Sequence, residues 1–181
     1  MEQSINEAGM MQKSGDQWEP EAHGQEEVSC FMDEMKRALG VGELDVRTYS
    51  PLALAYIGDC VFELLIRTML VSKGNTSVHK YHQRASAVVN AHSQADMIAA
   101  LEPELTEEEC SVLKRGKNSK PATMAKNATA KEYKAATGME AVLGYLYLTN
   151  QYGRLIELMK KSLKIWEEQH GEAFPQTGEK H

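Results

Sequence analysis

The stretch SPLALAYIGDCVFELLIRTMLVSKGN, residues 50 to 75, decides the fold. Ser50 is a good N-cap, since its hydroxyl can accept from an orphan backbone N–H. Pro51 suits the first helical position, where no N–H is needed. Apolar residues then recur at helical spacing as far as Ser72, ahead of Lys73-Gly74-Asn75, so one long helix is predicted. Asp59 lies in its middle, preceded by Gly58. A carboxylate in such surroundings is costly unless something neutralises it. Asp59, Glu63 and Arg67 fall at i, i+4 and i+8 and form one polar stripe. Two readings stand: a solvated Glu63–Arg67 pair with Asp59 at a polar margin, or an Asp59 that meets a cation.

Working outward, the other segments read the same way, and the fold class is all-α. SCFMDEMKRALG (29–40) is a short amphipathic helix closed by Gly40. After the long helix, Thr76 or Ser77 caps a stretch from Val78 to Leu101 that the pattern breaks near Asn90. Thr106 with Glu109 three residues on is a capping box, followed by a helix with acid at its start and Lys114 and Arg115 at its end. KNSKPATMAKNATAKEY (117–133) reads as a basic loop. KAATGMEAVLGYLYLTNQ is a buried helix and YGRLIELMKKSLKIWEEQ an amphipathic one. Residues 1–27 are polar and non-periodic and read as a disordered acidic extension. Residues 28–170 read as one domain, and 171–181 as a frayed tail.

The net charge of −6 is unevenly spread. Residues 1 to 30 hold seven Asp/Glu and one Lys, whereas residues 111 to 134 hold seven Lys/Arg and one Glu. A neutral body with one strongly basic segment can meet a polyanion although the whole chain is acidic. Cys30, Cys60 and Cys110 are widely spaced, which argues against a disulfide framework and a zinc finger. Cys60 reads as a small buried thiol. The N-terminus lacks a basic start and an apolar core, and residues 51–71 carry Asp59, Glu63 and Arg67, against both a signal peptide and a membrane span. A reducing, cytoplasmic home follows.

Glu140 is the second oddity, the one charge in the apolar helical stretch TGMEAVLGYLYL. Gly58–Asp59 and Gly138–Met139–Glu140 each set a carboxylate beside a glycine, and glycines allow helices to approach closely. Carboxylates that converge must share protons or bind a cation, and hard oxygen donors suit Mg²⁺ or Mn²⁺. In LKRGKNSKPATMAKN (113–127), Arg115, Lys117, Lys120 and Lys126 surround Gly116 and Asn118 and can neutralise phosphates. Read on its own, that segment is more readily a solvated charge run. Acids for a metal and a basic loop together suit phosphodiester hydrolysis. His79 and His82 are too few for zinc; His79 reads instead as an RNA contact or a helix cap. There is no GxxxxGK[ST] loop.

These motifs carry a resemblance. LALAYIGDCVFELLIR is similar to the signature helix of the ribonuclease III catalytic domain, YKAATGMEAVLGYLYL to its later Glu-bearing helix, and VLKRGKNSK to the basic loop of Mini-ribonuclease III. The likeness runs from about residue 44 to 168, with no segment for a double-stranded-RNA-binding domain behind it, as in the mini branch. The resemblance implies an all-helical, homodimeric endonuclease, with Mg²⁺ at each centre and Mn²⁺ as a substitute. It would cut double-stranded RNA to leave 5′-phosphate ends and would mature the large-subunit (23S) ribosomal RNA precursor. It implies that Asp59 and Glu140 are catalytic metal ligands; Glu63, one turn on from Asp59, is a further candidate ligand for a site short of acids. Arg115, Lys117, Asn118 and Lys120 would contact the duplex, with His79, and Tyr56 would pack across the dimer interface. Full-length ribonuclease III has two more acids, where this chain has Ala55 and Thr137; mini members share both losses. The rival is a non-catalytic, ribosome-associated RNA binder of the same fold.

Overall fold

The computed structural model describes residues 31–42, 44–119 and 129–171. The acidic extension, Cys30, Lys120, Lys126 and the tail beyond Gly171 lie outside the described residues. Every regular element among the described residues is helical, as the sequence predicts. The chain divides at Glu43/Leu44 into two compact units. In the first, α1 (Phe31–Leu39) has Asp33 and Glu34 in its first turn and Lys36 and Arg37 in its last, the order the helix dipole favours. Gly40 follows with φ +65°, a left-handed stop that a glycine adopts without steric penalty.

The second unit holds a 3-10 turn (Val46–Thr48), α2 (Pro51–Ser72), α3 (Val78–Val88), α4 (Ala91–Leu101), α5 (Glu107–Lys117), α6 (Ala130–Leu148) and α7 (Tyr152–His170). Five of these helices start on one device. Ser50, Ser77, Asn90, Thr106 and Thr129 each accept, through the side chain, the backbone N–H three residues on. A cap of this kind contributes about 1 kcal/mol. Asn90 also donates its side-chain amide to the carbonyls of Ser86 and Ala87. It therefore ends α3 and starts α4, which is why the pattern breaks there.

One boundary differs from the sequence reading. α6 begins at Ala130, inside the stretch read as basic loop. Thr129 and Glu132 form a reciprocal capping box, and the Glu132 carboxylate also meets His92 Nδ1 of α4 at 2.8 Å. The Thr129 backbone N–H, then His92, holds the Glu132 carboxyl down at about 2. The Thr-x-x-Glu signature was present but lay among lysines.

α6 is the central helix and packs on α2, α4, α5 and α7. Phe62 and Ile66 of α2, Met97 of α4, Leu113 of α5, Leu146 of α6 and Leu158 of α7 are fully buried between them. Burying each such side chain stabilises the fold by roughly 1.5–3 kcal/mol. α7 is fastened at Arg154, whose guanidinium donates to both carboxylate oxygens of buried Glu109 at 2.9 and 3.0 Å and to the Glu104 carbonyl at 2.8 Å. No described helix is long and apolar enough to cross a membrane.

α2 and α6 cross with backbone against backbone. A Cβ added at Gly58 would lie 1.8 Å from the Glu140 carbonyl oxygen, and one at Gly144 would lie 2.0 Å from that of Leu54. Backbone atoms cannot swing aside as a side chain can, so an alanine at either place must push the helices apart. Gly58→Ala should cost about 3 kcal/mol or more in urea denaturation. Gly153→Ala on α7, where a Cβ meets open space, should be neutral or stabilise by up to about 1 kcal/mol. Equal effects at the two sites would mean that the crossing is not close-packed.

Candidate active site

The crossing sets the chemistry. Residues 58 and 144 lie at the contact, so Asp59 and Glu140 emerge beside it, one from each helix. They share an open cleft of about 240 Å³, which Leu52, Ala55, Tyr56 and Cys60 of α2 and Tyr133 and Thr137 of α6 complete. The two positions at which full-length ribonuclease III carries further acids, Ala55 and Thr137, therefore line the same cleft. An apolar methyl and a hydroxyl take the place of two charges there.

Glu140 is partly buried. Burial first, then the charge of Asp59, pushes its pKa up to about 8, against a side-chain hydrogen bond from Gln94 of α4 that favours the anion. Asp59 stands at the mouth of the cleft, exposed as a residue, yet its carboxyl is raised by desolvation against the wall and then by Glu63. Neither carboxylate is paired with a Lys or Arg among the described residues. Two half-desolvated acids with no Lys or Arg partner among the described residues form an oxygen-donor set suited to a hard divalent cation. No group of three or more His, Cys, Asp or Glu gathers for a metal among the described residues. An ion held by this pair would complete its shell with water or substrate oxygens.

Glu63 is not brought into the cleft. It accepts from Arg67 Nε at 2.8 Å, the pair that the stripe itself suggested, and acts on Asp59 only through its charge. The Glu63–Arg67 pair of the first reading is thus present. Cys60 is exposed rather than buried, because it lies one turn after Tyr56 on the face of α2 turned away from the core. Tyr56 is 78% exposed, and Leu52, Tyr56, Cys60 and Leu64 follow one another at i+4 intervals as an exposed, mainly apolar stripe.

The described start of the basic segment, at the end of α5, makes a second glycine contact. A Cβ on Gly116 would lie 2.8 Å from Gly138 Cα, and one on Gly138 would lie 2.9 Å from Lys117 Cγ, so the end of α5 lies on α6 beside Glu140. Arg115 donates to the Tyr49 carbonyl at 2.9 Å, Lys117 pairs with Glu102 at 2.7 Å, and Asn118 caps the helix, exposed. Lys120 lies outside the described residues. His79 is exposed in the first turn of α3 and does not line the cleft.

Sequence reasoning missed Gln94 and Tyr133. Gln94 was detectable: with Met97, Ile98 and Leu101 it follows the buried face of α4, where a polar residue is out of place. Tyr133 fell in the stretch read as loop, and nothing in its neighbours marked it.

Comparison with known proteins follows this geometry. The family profile described as "Ribonuclease III domain" matches residues 52–151. The Mini-ribonuclease 3 of Clostridium tetani is 46% identical over 125 residues, 68% of this chain and 83% of the relative. That of Enterococcus faecalis is 44% identical over 66% of this chain and 92% of its own. A crystal structure of a Fusobacterium nucleatum protein superposes with a TM-score of 0.60 at 33% identity, over 66% of this chain and 96% of the other.

A raised carboxyl has a testable sign. Between about 4.5 and 8 the native metal-free protein holds a proton on Glu140 that the unfolded chain has released, so stability falls as pH rises through that window. Glu140→Gln removes the term. In EDTA its melting temperature should exceed that of the wild type at pH 8, and the difference should close near pH 4.5. A pH-independent difference would mean that Glu140 ionises normally.

Proposed function

The chain belongs to the ribonuclease III family, and from that premise we propose a Mg²⁺-dependent endoribonuclease of the Mini-III kind. In this reading it is a cytoplasmic homodimer that cuts double-stranded RNA and matures the large-subunit (23S) ribosomal RNA precursor. The observation that carries the proposal is the crossing at Gly58 and Gly144, which sets Asp59 and Glu140 in one cleft with no Lys or Arg partner among the described residues. Mn²⁺ suits the same donors.

Asp59 and Glu140 hold the divalent ion. Bound there, it supplies Lewis-acid charge to the scissile phosphate and lowers the pKa of a water. Asp59, at the exposed mouth, faces the incoming phosphodiester. Glu140 lies deeper and is partly desolvated. Arg115, Lys117 and Asn118 at the end of α5, with Lys120 and His79, contact backbone phosphates and 2′-hydroxyls, the features that A-form RNA offers a protein. Glu63 modulates the charge on Asp59 and is not counted as a ligand.

The exposed stripe Leu52, Tyr56, Cys60, Leu64 supports self-association, because a two-fold interface needs one patch able to meet itself. Leu52, Tyr56 and Cys60 also border the cleft, so two copies joined there would bring two clefts near one another, one for each strand of a duplex.

Cleavage of a long RNA duplex by the purified protein tests the chemistry. Cutting should require Mg²⁺, stop in EDTA, and fall to background in Asp59→Ala and Glu140→Ala while duplex binding persists. No cutting on several duplexes, ribosomal precursors included, would turn the reading towards the non-catalytic binder, and cutting that survives EDTA would remove the metal from it. Tyr56→Glu should convert a dimer to a folded monomer in sedimentation equilibrium; a wild type that sediments as a monomer removes the two-cleft arrangement.

A further inference from the structure

The chain has seven tyrosines, and the fold employs most of them. Tyr81 donates its hydroxyl to the Gly74 carbonyl at 2.6 Å, Tyr152 donates to the Asn150 side chain at 2.9 Å, and Tyr145 lies in the core. Tyr81 and Tyr147 also pack against the core from its edge. Tyr133 does neither. It is half-buried in the wall of the Asp59–Glu140 cleft and stands outside the set of side chains packed on the core. Its hydroxyl makes no hydrogen bond among the described residues.

The backbone under Tyr133 is nevertheless well held. Tyr133 follows Glu132, whose capping box with Thr129 and 2.8 Å contact with His92 fix the first turn of α6. The Tyr133 carbonyl accepts from the Thr137 hydroxyl at 3.0 Å. Tyr133, Thr137 and Glu140 fall at i, i+4 and i+7, so one face of α6 presents all three to the cleft. The ring thus stands on a rigid element beside the acids.

A phosphate oxygen only accepts hydrogen bonds, and ionised carboxylates only accept as well. A donor for a phosphodiester in this cleft therefore has to come from the other lining side chains. Thr137 already donates its hydroxyl to Tyr133, and the Cys60 thiol is a weak donor. Tyr56 carries a phenol, but it stands 78% exposed on the outer stripe of α2. The Tyr133 hydroxyl remains. A neutral phenol donates without competing with a cation for the acids, as a lysine there would. An RNA duplex keeps its bases stacked inside and presents its backbone, whose phosphates accept from tyrosine hydroxyls.

We propose that Tyr133 is a substrate-binding residue, whose hydroxyl donates to a non-bridging phosphate oxygen of the RNA strand lying in the cleft. This rests on the reading that the cleft takes double-stranded RNA.

The test is Mg²⁺-dependent cleavage of an RNA duplex by the full chain, wild type beside Tyr133→Phe, which keeps the ring and removes only the hydroxyl. Loss of a hydrogen bond to a charged acceptor predicts a fall in kcat/KM of roughly 10- to 100-fold. The melting temperature and the Mg²⁺ concentration for half-maximal rate should stay as in the wild type, because the hydroxyl supports neither the core nor the metal. With 3-fluorotyrosine placed at position 133 alone in Glu140→Ala, the ¹⁹F resonance should shift when the duplex is added with Mg²⁺. A folded Tyr133→Phe that cuts with the wild-type kcat/KM overturns the proposal. So does a fluorine resonance indifferent to RNA, which decides the matter even if Tyr133→Phe fails to fold. A wild type that cuts no duplex overturns the catalytic reading instead, and the fluorine resonance then still decides the contact.

Discussion

The contact between the backbones of α2 and α6 is the constraint from which the rest of this structure follows. Helices that meet through side chains stand apart by the length of those side chains, and their polar groups point past one another. Here Gly58 and Gly144 remove the side chains at the crossing, and the carbonyls of Glu140 and Leu54 fill the space a Cβ would take. The residue after Gly58 is then brought against the turn that carries Glu140. The same device at Gly116 and Gly138 lays α5 on α6, so that one helix receives the acid-bearing partner and the basic-ended partner.

Such proximity is costly. Two carboxylates near one another in a half-dry cleft repel, and Glu140 answers by keeping its proton into the neutral range. The fold has to absorb that expense elsewhere. It does so through five capped helix starts, a core that runs from α2 to α7, and the Arg154–Glu109 pair that fastens α7 to α5. At Glu109 burial raises the carboxyl, but Arg154 and Thr106 overcome it and hold the group below its usual range. Glu109 is thus satisfied by its own chain, whereas Glu140 has no Lys or Arg partner among the described residues.

Much of this was legible before any coordinates. Helix starts read well because a capping side chain and its N–H are only three residues apart. Asp59 and Glu140 stood out because each interrupts an apolar helix beside a glycine. What the sequence could not convey was which way a side chain turns on its helix. Glu63 follows the stripe of Asp59 but swings to Arg67, and Cys60, in an apolar context, lies on the outer face. Long-range pairs were equally silent. Glu109 and Arg154 are separated by most of α5, all of α6 and the start of α7, and only packing joins them. Thr129 and Glu132 show the opposite failure, a local signal hidden by the lysines around it.

The partners of Arg115 and Lys117 bear on how a polyanion would experience this surface. Residues 111 to 134 carry a formal charge of +6, but Lys117 already faces Glu102, and Arg115 already donates to the Tyr49 carbonyl. Phosphates arriving there exchange one oxygen partner for another at both positions. The number of small ions set free on contact should therefore be smaller than the number of basic residues in the segment, and binding should weaken less steeply with added salt than the sequence charge suggests. For these two side chains, meeting a phosphate would be a transfer of existing hydrogen bonds.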